Sequence, residues 1–230
     1  MIHEMTETTG WSRRRAARTE AIVAAGLQLV ASDGLDALTV GGLSKAVGMT
    51  PGALYRYFPS KDAILAELNH RVVARWAAHF ATVLADVAPD DPPLVRVAVA
   101  GVAFADLAAR EPEALALLAL TTADPRMLVA EPEPRHVPPM LALLTTIGAM
   151  VDAADLRPGD GRHRATMLVF GLLGVLQTGK LVRFDPVFAP KALAHGVLHD
   201  LLVGWGAPPD LASAAIQRAS TIVLANLRST

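Results

Sequence analysis

Residues 39 to 65 read TVGGLSKAVGMTPGALYRYFPSKDAIL, and the fold follows from this stretch. Thr39 has the chemistry of a helix N-cap, and Leu43, Ala46 and Val47 recur on one helical face behind it. Gly48 supplies the left-handed residue that ends such a helix. Thr50 then caps a second start, with Pro51 at the first helical position, where a missing N–H costs nothing. The second helix is expected over about Pro51 to Phe58. Pro59 stops it, and Ser60 caps a third helix with Lys61 and Asp62 in its first turn. Two short helices joined by a tight turn at a glycine are a helix-turn-helix, which places its second helix in the major groove of DNA. On that helix Leu54 and Phe58 are four apart and face inwards. Tyr55, Arg56 and Tyr57, with Lys61 beyond, are left as a polar, aromatic and cationic surface suited to phosphates and base edges.

The stretch resembles the DNA-binding domain of the TetR family of bacterial transcriptional regulators. The residues that carry the resemblance are Thr39, Gly48-Met49-Thr50, Leu54-Tyr55-Arg56-Tyr57-Phe58 and Lys61-Asp62, and it extends over about residues 15 to 68. Gly41 and Gly42 depart from the family, which usually carries charged or helix-favouring residues there. Two glycines in a first turn cost up to about 2 kcal/mol of helix propensity. The resemblance implies a homodimer that grips a double-stranded DNA operator. Thr39, Thr50, Tyr57 and Lys61 would meet phosphates, and Pro51, Ala53, Tyr55 and Arg56 would face base edges. It also implies repression, relieved when a ligand in the second domain shifts the fourth helix.

Composition agrees with this reading. Hydrophobic residues make up 52% of the 230 and charged residues 19%, which describes an ordered helical protein rather than a disordered one. There is no cysteine, so disulfide and thiol chemistry are excluded. The net charge is −1, yet residues 11 to 61 hold seven Lys/Arg against three Asp/Glu. The charge needed to meet DNA therefore sits at the N-terminal end. Arg13, Arg14 and Arg15 open a helix whose dipole they oppose, so they read either as phosphate or minor-groove contacts or as a solvated arm. No secretory signal pattern is visible, and the most apolar run, Ala165 to Leu176, is shorter than a membrane span. A cytoplasmic protein is expected.

The rest of the chain reads as helices only. Residues 1–11 are expected to be a disordered tail, 12–60 the DNA-binding domain, 61–86 a linking fourth helix, and 87–230 a domain for ligand and dimer. Further helices are expected at about 13–32, 94–110, 111–122, 140–154, 162–181, 191–203 and 209–227. The proline-rich stretch 124–139 is read as a loop. The apolar helix 162–181 should be buried almost all round, and it is assigned to the dimer interface with one of the last two helices, 209–227 in preference to 191–203. Trp76, Phe80, Phe104, Met127, Met140, Met150, Met167 and Phe170 form the expected apolar wall of a ligand cavity. Thr121, Thr122, Thr145, Thr146, His136 and Gln177 are its polar candidates.

Enzyme chemistry has little support in the sequence. There is no Gly-x-Ser-x-Gly and no glycine-rich phosphate loop between a strand and a helix. His195 and His199 have metal-chelating spacing but lack a third ligand, so neither a metal nor a cofactor is expected. The alternative to ligand control is a DNA-binding regulator governed by a protein partner, or by no small molecule.

Overall fold

The computed structural model describes residues 2–123 and 137–229, with side chains described for 12–120 and 137–228. Among these residues there are only helices: α1 (Ile2–Asp33), α2 (Val40–Ala46), α3 (Pro51–Leu54), α4 (Lys61–Ala85), α5 (Pro93–Arg110), α6 (Pro112–Ala123), α7 (Val137–Ala153), α8 (Gly161–Gln177), α9 (Pro190–Gly204) and α10 (Pro209–Ser229). Short 3-10 turns lie at Leu35–Ala37, Thr178–Arg183 and Pro186–Phe188.

The apolar stripe of α4 organises both ends of the molecule. Ile64, Leu65 and Leu68 are buried with Ile22 and Val30 of α1 and with Leu43, Leu54 and Phe58 of the helix-turn-helix. Further along, Val72, Trp76, Phe80 and Val83 enter the second domain. Gly26 lets α1 approach α4 closely, since a Cβ there would stand 3.1 Å from Leu68. A polar clasp reinforces the junction. Arg71 donates to the buried Glu67 carboxylate at 2.9 Å and also pairs with Glu20 of α1. In the second domain α5 is the central helix, packed by α4, α7, α8, α9 and, most extensively, α10. The α4–α5 loop is pinned to α10 by a two-pronged Arg218–Asp91 pair at 2.8 and 3.0 Å, and by Asn226 donating to Asp86 at 2.7 Å.

Three expectations are corrected. Residues 2–10, expected in a tail, continue α1, because nothing between Ile2 and Asp33 except Gly10 and Gly26 disfavours a helix strongly. Pro138 and Pro139 belong to the first turn of α7, where prolines leave no hydrogen bond unmade; residues 124–136 lie outside the described residues. The apolar stretch Gly161–Arg183 has only 28% of its most apolar window buried, although by length and composition it could cross a membrane. Met167, Phe170 and Gly174 lie on its uncovered face. Within the subunit α8 packs beside α7 and α9, whereas α10 wraps α5.

Candidate nucleic-acid interface and ligand cavity

Three hydroxyl caps set the geometry of the reading head. Thr39 accepts from the Gly42 N–H at 2.9 Å, Thr50 from Ala53 at 3.2 Å and Ser60 from Ala63 at 3.0 Å. Each cap occupies an oxygen lone pair, so the O–H proton of Thr39 and Thr50 can still donate outwards to a phosphate. Gly48, at φ 64°, ends α2, and the Met49 N–H returns to the Ser44 carbonyl at 2.8 Å. The chain then re-enters a helix at Pro51. Regular α-helix covers only Pro51–Leu54, and the turn continues through Tyr57 N–H to Leu54 at 2.9 Å and Phe58 N–H to Leu54 at 3.1 Å. Leu54 and Phe58 are buried, while Pro51, Tyr55 and Arg56 are exposed and Ala53 is half-buried. Ala46, expected on the inner face of α2, is exposed because the helix ends there.

Gly42 is explained by close approach. A Cβ on it would stand 2.8 Å from the Ala37 carbonyl oxygen and 3.1 Å from the Thr39 hydroxyl. Any side chain there would displace either the α1–α2 connection or the cap. Gly41 meets nothing within 4 Å.

Two arginines of α1 bond to the helix-turn-helix. Arg15 donates to the Arg56 carbonyl at 3.1 Å, and its guanidinium lies 5.5 Å from the centroid of the Tyr57 ring. Arg18 donates to the Val47 carbonyl at 3.1 Å. These two side chains therefore hold the C-terminal ends of both helices of the helix-turn-helix, where carbonyls lack helical partners and the dipole is negative. Tyr57, expected to be exposed, is half-buried against the core under Arg15. Arg13, Arg14, Lys45, Arg56 and Lys61 are exposed on the same domain.

The aromatic residues expected to line a cavity instead fill the core. Trp76 and Phe104 meet edge to face at 5.4 Å, and Phe80 stacks on Phe104 at 6.3 Å. All three are buried, and the Trp76 indole N–H is satisfied by Glu111 at 2.9 Å. Large aromatics at helical spacing pack on one another before they leave space for a ligand. Met140 is half-buried against the core, and Met167 and Phe170 face outwards on α8. Thr145 and Thr146 are exposed and bond back to Leu141 and Ala142, and with Met150 they border a shallow depression. Met127, His136, and the side chains of Thr121 and Thr122 lie outside the described residues.

Gln177 does border a cavity, of about 690 Å³. Its walls are Ala108, Leu115, Ala119, Leu120 and Leu176, with Lys180 and Pro190 at one end and Leu35 of the α1–α2 connection at another. A second crevice of about 370 Å³ lies on the other side of α6, between α1 and α4, and Pro112 lines both. The helix α6 thus borders both spaces, and the larger one also touches the DNA-binding domain through Leu35. His195 borders a third space of about 100 Å³, and burial lowers its pKa from the ordinary imidazole range. His199 faces Asp200 at 3.3 Å, and no cluster of three metal-ligating side chains occurs among the described residues.

Residues 22–68 match the family model of bacterial regulatory proteins of the tetR family. The N-terminal domain is therefore of the TetR type. Over 44 residues, 19% of its length, the chain is 48% identical to the nucleoid occlusion factor SlmA of Actinobacillus pleuropneumoniae serotype 5b. The chain spans 22% of the length of that relative. Across the whole TetR fold it is similar to RolR in complex with resorcinol, with a TM-score of 0.62 and 15% identity, covering 90% of this chain and 96% of that one. It is also similar to SmeT, the repressor of the Stenotrophomonas maltophilia efflux pump SmeDEF (TM-score 0.57, 19% identity, 81% and 89% covered). The chain combines an N-terminal helix-turn-helix domain of this type with a C-terminal helical domain. Arg18 and the Leu35 wall were not legible in the sequence. Arg18 carries no motif, and Leu35 looks like any connector residue until α6 is folded against it.

Proposed function

We propose that this regulator acts in the cytoplasm as a homodimeric repressor of a palindromic operator, released by a small, mostly apolar ligand. In this reading Arg56 and Tyr55, with Pro51 and Ala53, face base edges, and Thr39, Thr50 and Lys61 take phosphates. Arg13 and Arg14 add charge at the flank, while Arg15 and Tyr57 support the helix from behind. The dimer uses the uncovered apolar face of α8 together with its neighbour α9, since a two-fold operator needs a two-fold protein.

The observation that carries ligand control is the 690 Å³ cavity, which is within the usual size range for small-molecule sites and has Leu35 in its wall. A molecule seated there presses on α6 and on the connection into α2. It thereby alters the angle of both reading heads as well as the course of α4. The likeness to RolR, solved with resorcinol, and to the repressor SmeT supports the same reading. The test is to recover bound duplexes from a random DNA pool and then screen small molecules for release. Recovery of a palindrome, and its release by compounds that also protect the cavity from labelling, is expected. Release by none, with release instead by a protein fraction, would favour control by a partner.

A further inference from the structure

We propose that the large cavity takes an amphipathic organic anion, its apolar body against α6 and its acid group on Lys180. This rests on the reading of that cavity as the effector site and names the class of molecule it admits. The described spaces differ in charge, and the shallow depression at Thr145 and Thr146, although it holds Arg96 without an acid, is an open surface rather than a cavity. The crevice between α1, α4 and α6 has Arg75 and Arg110 balanced by Glu111 and Glu113, so its cations already have anionic company. The small space at His195 sets Lys191 beside Asp106 and is only about 100 Å³. The large cavity has Lys180 and no acidic side chain among its described lining residues. Its remaining wall is aliphatic except for Gln177, whose amide nitrogen already donates to the Leu173 carbonyl at 3.3 Å. Lys180 is therefore the strong donor available to a guest.

The position of Lys180 favours an anion with a tail. It lies in the 3-10 turn just after α8 and is exposed, while Leu176, which lines the same cavity, is buried. A lysine placed so lays its stem on apolar surface and keeps its ammonium at the rim. A carboxylate at the rim gains a charge-assisted hydrogen bond while the tail displaces water from the aliphatic wall.

The experiment titrates DNA-free protein with decanoate, decanol and decylamine by calorimetry, so that the tail is constant and only the head group changes. Decanoate should bind about ten-fold or more tighter than decanol, the modest end of a hydrogen bond to a charged group, and decylamine weakest. Lys180→Gln should bring decanoate to the level of decanol and leave decanol unchanged. Ala119→Trp, which fills the cavity, should abolish both. Equal affinity for decanoate and decanol, a preference that survives Lys180→Gln, unchanged binding by Ala119→Trp, or binding of none of the three would each overturn the proposal. Operator release by decanoate is measured separately. Anion-selective binding without release would count against the effector reading and leave the ligand class standing.

Discussion

Arg56 and Lys61 are near neighbours with different tasks. Arg56 is exposed just past α3, where its guanidinium can bond two acceptors on a guanine edge, and Lys61 begins α4, where a point charge meets phosphate. Arg56→Ala should cost about 1–3 kcal/mol on the operator and relax preference at one base pair per half-site. Lys61→Ala should weaken operator and scrambled duplex alike and flatten the salt dependence by about one unit for each phosphate it no longer neutralises. Equal weakening of both duplexes by Arg56→Ala would make it a gripping residue. Arg15 is the contrasting case. Its hydrogen bond to the Arg56 carbonyl and its seat over Tyr57 make it a brace. Arg15→Ala should lower unfolding stability by about 1 kcal/mol, while the salt slope stays that of the wild type. A flattened slope at unchanged stability would return Arg15 to the phosphates.

At the scale of elements, the two glycines of α2 make a paired test. Gly42→Ala should destabilise by about 1–3 kcal/mol, because its methyl would meet the Ala37 carbonyl. Gly41→Ala, in open space, should stabilise by up to about 1 kcal/mol. Denaturant midpoints of the two variants moving in the same direction would refute the packing argument. The pair also shows what was legible in the sequence. Thr39, Thr50, Pro51, Gly48 and Ser60 announce helix ends through local chemistry, so the reading head could be placed before any tertiary contact was known. The need for Gly42 could not, because the atom it accommodates comes from the preceding turn. The cavity was least legible: Trp76, Phe80 and Phe104 have the spacing of a wall and of a core alike, and only their mutual packing separates the two. For α8, composition indicated burial all round, but its apolar face at Met167, Phe170 and Gly174 is not covered within the subunit.

The whole molecule is a reading head clasped to a helical domain that presents one uncovered apolar face. Gly174 lies on that face with nothing within 4 Å, so an added side chain is accommodated within the subunit. Gly174→Arg should keep its helical content, sediment as a monomer and lose operator binding, since each half-site alone contributes only part of the affinity. A variant that remains dimeric would remove α8 from the interface.

In the function proposed above, this protein reads DNA sequence through a charged, two-fold head. The most direct measurement titrates the duplex recovered from the random pool, and a scrambled duplex of equal length, across 50–200 mM salt. With about two or three phosphates met per subunit, the account predicts a log–log slope of roughly −4 to −5, and at least about 10³-fold preference for the recovered sequence at physiological salt. A slope near zero, or equal affinity for both duplexes at every salt concentration, would contradict it.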